Sequence, residues 1–255
     1  MSSTLLDNLK SHLQSFTLSS SPSCNYYSDC EFQEGCNRLN CVENFSIFHL
    51  NIRSLNANNA KLFQYMSTLN FHFDAIILSE IWAYNISMYS NLFPNYSFHY
   101  TLPKYSSIGG VGIFVHKSFT VIERDDLNFP TASHDYAELL FLEISKLNFH
   151  CLIGGFYRHP NCNTSDFSSN LECIFQSLPF RKFKFNCLLA GDFNLDLLKY
   201  DSSNDINNFI SLLTSYNFLP YLSYRLVSLT LQLLSLIMFI LDLDPSLKIV
   251  VLILL

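Results

Sequence analysis

The sequence predicts an α/β (α+β) sandwich, in which two mainly antiparallel sheets pack together and helices cover their outer faces. Six apolar runs of strand length follow one another with only a few helical segments between them. Several of these runs end in polar residues and lead into long loops rich in Asn, Ser, Pro and Tyr. Several strands for each helix favour sheets that pack on each other. A chain of 255 residues, 49% of them hydrophobic, can bury such a core.

The predicted elements begin at Phe45, where the sequence pattern changes. Strands are expected at 45–51, 75–79, 111–115, 137–144, 150–157 and 184–190. A first helix is expected at 61–69. Two further helices, at 166–178 and 205–216, each begin with an Asp suited to an N-cap and continue with apolar residues at helical spacing.

Composition divides the chain into three parts. Residues 1–44 are polar and Ser-rich and predict a poorly ordered leader, with a short helix expected at Leu5–Phe16 and no secretory signal. Residues 45–224 form the predicted domain. Among the eight cysteines, Cys24, Cys30, Cys36 and Cys41 are spaced more widely than zinc ligands usually are. We therefore expect reduced thiols and an intracellular protein.

Residues 225–255 differ sharply from the rest, since 12 of the 30 residues from Leu226 to Leu255 are Leu. The apolar stretch Leu226–Leu241 is about 16 residues long, shorter than the roughly 20 residues that span a bilayer. Two explanations stay open. The tail is either out-of-frame sequence, which we favour, or a membrane anchor.

The turn after the last predicted strand carries the most informative motif, Gly191-Asp192-Phe193-Asn194. Two polar side chains two residues apart at a strand end can reach one phosphate or one metal-bound water. Four other motifs lie at the ends of predicted strands: Asn51–Leu55, Ser79–Trp82, Gly109–Gly112 and Tyr157–Pro160. Active sites gather where such ends converge, because a rigid scaffold then aims side chains from variable loops.

These residue types suit metal-assisted cleavage of a phosphodiester. Glu80 offers a hard oxygen ligand for Mg²⁺. Asp192 can orient or deprotonate a metal-associated water, while Asn51 and Asn194 can bind phosphate or hold the carboxylates. Tyr157 can stabilise charge on a phosphate oxygen. A net charge of −6 argues against a broad basic face for nucleic acid, but not against a nuclease with local basic contacts.

The five motifs, in this order, resemble the endonuclease/exonuclease/phosphatase family, and above all the AP-endonuclease-like domain of LINE-type (non-LTR) retrotransposons. The resemblance runs from about Phe45 to Tyr221. It implies a DNase I-like four-layer sandwich that acts in the nucleus and nicks target DNA with Mg²⁺, or Mn²⁺ in its place. The nick leaves a 3′-hydroxyl that primes reverse transcription.

Motif positions in this family imply a role for each candidate residue. Asn51 and Glu80 would hold the metal, and Tyr157 would contact the phosphate. Asp192 and Asn194 would position the nucleophile and stabilise the transition state. Two cations beside the motifs, Arg53 and Arg158, are weaker candidates for DNA contacts, and Arg53 has the alternative of pairing with a nearby acid. For Trp82 a place in the core is the favoured interpretation.

The chain departs from the family towards its C-terminus. His159 stands where a second Pro is usual, and no His follows it. The family's later Asp-His and Ser-Asp-His motifs are therefore missing, and after Asp205 the only acids are Asp242 and Asp244. We expect a frameshift near Tyr224, a domain without its last strands, and impaired activity. A non-catalytic remnant and a phosphatase of the same family remain the alternative functions.

Overall fold

The computed structural model describes residues 25–27, 34, 44–83, 85–103, 107–129, 137–178, 186–195, 202–221, 224–226, 236–241 and 248–254. The helix expected at Leu5–Phe16 lies outside these residues. Within the predicted leader the described part includes a short strand.

The described residues form thirteen strands and three α-helices. The strands are β1 (Asn25–Tyr27), β2 (Asn44–Asn51), β3 (Ala75–Ser79), β4 (Tyr96–Thr101), β5 (Val111–His116), β6 (Thr120–Glu123), β7 (Ala137–Lys146), β8 (Phe149–Arg158), β9 (Asn186–Asp192), β10 (Phe218–Tyr221), β11 (Tyr224–Leu226), β12 (Leu236–Leu241) and β13 (Lys248–Leu254). The helices are α1 (Leu55–Leu69), α2 (Thr164–Ser177) and α3 (Asn204–Ser215), and a 3₁₀ turn spans Ser87–Tyr89.

The strands form two sheets, as predicted. The first has the order β1-β11-β13-β2-β3-β5-β4, and the second has the order β10-β12-β9-β8-β7-β6. The second sheet is mainly antiparallel, with one parallel pair, β8 and β9. The first sheet is mixed rather than mainly antiparallel, because four of its six strand pairs run parallel. One of these pairs, β2 and β3, is joined by the crossover helix α1.

Three apolar clusters make this a four-layer sandwich. The middle cluster, which includes Ile47, Ile113 and Ile153, fills the space between the two sheets. A second cluster packs α1 against the outer face of the first sheet. A third packs α2 and α3 against the outer face of the second sheet. The interior between the sheets is thus closed by apolar side chains, and polar side chains collect at one end of it.

Capping explains where two helices begin earlier than predicted. The Ser54 hydroxyl accepts a hydrogen bond from the Ala57 N–H at 3.2 Å, so α1 begins at Leu55. The Asn163 side chain, rather than Asp166, caps α2. The prediction missed β4 and β6, which lie in segments that it left without a strand, and it also missed β1 and β10 to β13.

The apolar tail contributes backbone to both sheets. β12 pairs antiparallel with β9, and β13 pairs parallel with β2. Part of a segment expected outside the domain therefore has strand positions beside the two strands that end at the polar motifs. Its out-of-frame origin stays a prediction. In the part of the chain that the structure describes, no helix is long and apolar enough to cross a membrane.

Candidate active site

Three predicted site residues from both sheets meet at one amide group. Asn51 ends β2, Glu80 follows β3, and Asp192 ends β9. The Asn51 Nδ2 group donates to Glu80 Oε1 at 2.6 Å and to Asp192 Oδ2 at 2.7 Å. One side-chain nitrogen therefore holds a carboxylate from each sheet, and the predicted convergence of strand ends is observed at atomic contact.

Strand register explains this meeting. Asn51 lies opposite Ser79 in the parallel pair of β2 and β3, so Glu80 emerges beside it. In the second sheet Tyr157 lies opposite Asp192 in the parallel pair of β8 and β9. Parallel neighbours end at the same edge of a sheet, which is why Asn51 lies beside Glu80 in the first sheet and Tyr157 beside Asp192 in the second.

The backbone at this rim adopts conformations that residues other than glycine seldom take. Glu80, Arg53, Ser54, Trp82 and Asn194 all have positive φ, from 44° at Arg53 to 86° at Ser54. Hydrogen bonds hold the loops in place, including Ser54 N–H to the Glu80 carbonyl at 2.8 Å. Such conformations cost about 1–3 kcal/mol each and tend to cluster at functional sites.

Glu80 sits in an environment that disfavours its charge. Its side chain is nearly buried, and burial raises the pKa of the carboxyl above its ordinary value, with repulsion from Asp192 adding to the effect. Hydrogen bonds from Asn51 and Trp82 and the charge of Arg53 oppose the rise in pKa. A cation bound at this carboxylate would relieve the same repulsion.

Tyr157 presents a hydroxyl that stays protonated at neutral pH. Its side chain is buried, and burial raises the pKa of the phenol well above its usual range. The carboxylates of Glu80, Asp192 and Glu138 raise this pKa further. The group is therefore a hydrogen-bond donor, which suits contact with a phosphate oxygen.

Asp192 is held at both oxygens. Oδ2 accepts from Asn51, and Oδ1 accepts from the Asn194 backbone N–H at 3.0 Å. The Asn194 side chain has another use, because its Nδ2 donates to the Arg158 carbonyl at 2.6 Å. Asn194 therefore stabilises the turn that carries Asp192 by hydrogen bonds from its backbone N–H and its side-chain amide.

Two of the predicted site residues have contacts that their predicted roles did not include. The Asn51 oxygen accepts from the Arg53 N–H at 3.3 Å, and the amide nitrogen faces the carboxylates. In this arrangement Asn51 bridges the two acids, and its role as a metal ligand stays a prediction. The second is Arg158, which is 3% exposed and donates to the carbonyls of Phe193, Asn194 and Cys162, so its guanidinium is not available to DNA. Arg53 is exposed.

Sequence reasoning missed two groups beside the carboxylates. The Trp82 indole, predicted to be a core side chain, donates to Glu80 Oε2 at 3.1 Å. Glu138 is buried opposite Tyr157 in β7, with Oε1 at 3.2 Å from His159 Nε2. The signal for Glu138 was a charged residue inside an apolar strand. For Trp82 the spacing of two residues from Glu80 was the available clue.

A buried polar pair lies directly beneath the site. His49 Nε2 and the Ser79 hydroxyl are 2.8 Å apart; His49 lies two residues before the end of β2, and Ser79 is the last residue of β3. Burial lowers the pKa of His49 to about 3, so its ring is neutral. The pair connects the two strands whose next polar residues are Asn51 and Glu80.

The donor set suits Mg²⁺, although no group of three His, Cys, Asp or Glu side chains able to hold a metal occurs among the described residues. Glu80 and Asp192 turn one oxygen each toward the same nitrogen. Mg²⁺ is commonly held by one or two carboxylates, with waters and substrate phosphates completing the shell. Two converging carboxylates therefore fit the ion.

A sequence model of the Endonuclease/Exonuclease/phosphatase family matches residues 48–232, which is most of the chain. The chain belongs to this family. The resemblance seen in the five motifs is thereby confirmed. The match includes Asn51, Glu80 and Asp192, which together form the carboxylate cluster. Members of the family are generally nucleases and phosphodiesterases, typically dependent on a divalent metal.

Solved structures confirm the fold. The endonuclease domain of TRAS1, a telomere-specific non-LTR retrotransposon, aligns with a TM-score of 0.55 at 11% identity, over 78% of this chain and 84% of that one. A humanized D. rerio TDP2 aligns at 0.53 and 14% identity, over 78% and 82%. The human Nocturnin catalytic domain aligns at 0.52 and 16% identity, over 77% and 83%. No curated protein matches by sequence.

Proposed function

We propose that this chain is the Mg²⁺-dependent DNA endonuclease domain of a non-LTR retrotransposon, which nicks target DNA to prime reverse transcription. One observation carries the proposal: a single amide of Asn51 holds the carboxylates of Glu80 and Asp192 at 2.6 and 2.7 Å. The ordered motifs and the likeness in fold to the TRAS1 endonuclease domain support DNA as the substrate. A nuclear location follows from that substrate.

The residues divide the work by their chemistry. Glu80 would hold the ion, and Asn51 would keep Glu80 and Asp192 in place. Mg²⁺, or Mn²⁺ in its place, supplies positive charge against the phosphate when bound. Asp192 has an oxygen suited to orient a water or accept its proton. The Tyr157 hydroxyl would donate to a non-bridging phosphate oxygen.

DNA contacts outside the cluster would be local. Arg53 is exposed, and its charge acts on Glu80, so it lies close enough to the rim to meet a phosphate. Asn194 would contribute through the turn that it stabilises. Arg158 has no part in DNA contact in this proposal.

A second candidate is a non-catalytic remnant. No His follows His159 in the sequence, so the chain lacks the later Asp-His pair that the family resemblance implies. Without that pair, the site has one group fewer to orient or deprotonate water. On this view the carboxylate cluster could bind an ion without turnover.

A nicking assay separates these candidates. The purified full chain is incubated with supercoiled plasmid in Mg²⁺ or in EDTA, beside Asp192→Ala and Glu80→Gln. Asp125→Ala is the matched control, because Asp125 is exposed and distant in sequence from the motifs. We expect Mg²⁺-dependent nicking that the two site variants lose and the control keeps.

Other outcomes point elsewhere. Folded protein that does not nick supports the remnant. Nicking that is indifferent to both site changes contradicts the assigned site. Release of phosphate from a phosphomonoester without DNA cleavage would establish a phosphatase.

A further inference from the structure

Arg158 and Asn194 form a reciprocal pair around the turn that carries Asp192. Arg158 Nε donates to the Phe193 carbonyl at 2.6 Å, and Nη2 donates to the Asn194 carbonyl at 2.8 Å. In return, Asn194 Nδ2 donates to the Arg158 carbonyl at 2.6 Å. The third nitrogen, Nη1, donates to the carbonyl of Cys162. Each nitrogen of the guanidinium thus has a backbone acceptor.

Strand alternation explains why the side chain is there. Tyr157 and Arg158 are neighbours on β8, so they point to opposite faces of the sheet. Tyr157 belongs to the cluster between the sheets, whereas Phe193 belongs to the cluster beneath α2 and α3. Arg158 therefore reaches the Asp192 turn from the helix side, behind the carboxylate cluster.

The turn needs such support. Asn194 has a φ of 48°, a conformation that costs free energy for any residue other than glycine. Its N–H nevertheless has to point at Asp192 Oδ1, 3.0 Å away. Two successive carbonyls, of Phe193 and Asn194, are both directed at one guanidinium. That planar group presents donors in a fixed fork, which a lysine cannot reproduce.

The contacts continue to the metal-binding side of the site. Asp192 accepts from Asn51, and Asn51 donates to Glu80, so a shift of the turn would reach both carboxylates. Through Cys162, which comes directly before the N-cap of α2, Arg158 also ties the start of α2 to the same turn.

We propose that Arg158 is a positioning residue, which fixes the Asp192–Asn194 turn through its carbonyls and so sets the Asp192 carboxylate against Asn51 and Glu80. The inference rests on the proposed function in one respect, that the cluster binds a divalent ion. In this proposal Arg158 holds the turn in place and does not contact DNA. Groups that orient a metal site from behind typically change metal affinity or activity about 10–100-fold when mutated.

The test uses Trp82 as a reporter, because it is the single tryptophan and its indole contacts Glu80. Mn²⁺ binding to the full chain is followed by quenching of Trp82 emission in the wild type and in Arg158→Lys. Arg124→Lys is the matched control, since Arg124 follows β6 and pairs with Asp126 and with Glu143 of β7, not with the turn that carries Asp192. We expect Arg158→Lys to weaken Mn²⁺ affinity about tenfold or more, and the control to leave it within about twofold.

A double-mutant comparison distinguishes positioning from general loss of stability. If Arg158 acts through Asp192, Arg158→Lys should change little further in an Asp192→Asn background, because the two effects are not additive. Equal effects in both backgrounds, or wild-type affinity in folded Arg158→Lys, would overturn the proposal. If Arg158→Lys does not fold, Asn194→Gly removes the reciprocal bond while tolerating the positive φ, and the same weakening is expected.

Hydrogen exchange keeps the proposal testable apart from metal binding. In Arg158→Lys we expect the peptide that contains Asn194 to exchange about tenfold faster than in the wild type. In Arg124→Lys we expect the same peptide to exchange at the wild-type rate. A wild type that binds no Mn²⁺ would count against the proposed function alone. Unchanged protection at Asn194 in folded Arg158→Lys would count against the positioning role alone.

Discussion

Replacing Asn51 by Ala tests the contact on which the site depends. The substitution removes two hydrogen bonds, of 2.6 and 2.7 Å, to the carboxylates of Glu80 and Asp192. Hydrogen bonds to charged groups contribute about 1.5–3 kcal/mol each. Since Asn51 is only partly buried, the lower end applies, and the expected loss in the free energy of unfolding is about 3 kcal/mol for the pair. Repulsion between the two acids is then no longer offset by a shared donor.

Thermal unfolding measures this loss. For a chain of this size, about 1 kcal/mol corresponds to roughly 2–4 °C, so Asn51→Ala should lower Tm by roughly 6–12 °C. Asn59→Ala is the control, because Asn59 is also partly buried and also donates twice, but to the neutral carbonyls of Leu55 and Asn56. A loss no larger than that of the control would refute the reasoning.

Two conditions refine the same experiment. Mg²⁺ should stabilise Asn51→Ala more than the wild type, since the ion would offset a repulsion that the amide no longer reduces. Acidification should shrink the difference between the two proteins, because Glu80, whose pKa is raised by burial and by Asp192, becomes neutral first. A difference that stays constant in both conditions would exclude a charge effect.

Three further predictions concern neighbouring groups. Mg²⁺ affinity, measured through Trp82 emission, should fall as pH drops through the raised pKa of Glu80. Glu80→Gln should bind Mg²⁺ weakly at every pH. A wild-type Mg²⁺ affinity that does not change with pH would contradict this prediction. His49 has its pKa lowered from 6.5 to about 3, so the unfolded state takes up the proton first and stability should fall by up to about 5 kcal/mol as pH drops across that range. Denaturant unfolding of His49→Asn should show a smaller loss of stability between neutral and acidic pH. The same loss in this variant as in the wild type would rule out His49 as its cause. Gly191→Ala would place a Cβ 2.2 Å from the Phe156 carbonyl oxygen and should lower the free energy of unfolding by about 3 kcal/mol. Gly112→Ala is the control and should cost less, because the nearest atom there is the end of the Phe98 ring. Equal stability of the two variants would contradict the prediction.

Local sequence patterns were sufficient for six of the thirteen described strands and for all three described α-helices. The run Ala75–Ser79 was predicted with the bounds that the structure has, because five consecutive buried residues leave a strong local signal. The exposed strand β6 and the loop-like strand β4 were missed, since neither shows a clean alternation. The first sheet was expected to be mainly antiparallel, and this was wrong for β2 and β3. Their parallel direction depends on the crossover through α1, which a local sequence pattern does not report.

The candidate site divides in the same way. The motifs and their order brought Asn51, Glu80, Tyr157 and Asp192 together before any geometry was known, because the family that they resemble implies one shared site. The direction of each side chain was not predictable. Asn51 turns its nitrogen to the acids, and Arg158 turns inward to carbonyls rather than outward to DNA.

By itself the sequence determined the family, the sandwich and the identity of the carboxylates, because apolar runs and short motifs are properties of neighbouring residues. The tertiary structure alone decided which atoms meet. Asn51 and Asp192 are 141 residues apart, and their contact exists only once two sheets have packed in one register. Arg158 finds its carbonyls by the same packing. Side-chain direction is set by partners far along the chain, and those partners are fixed only in the folded state.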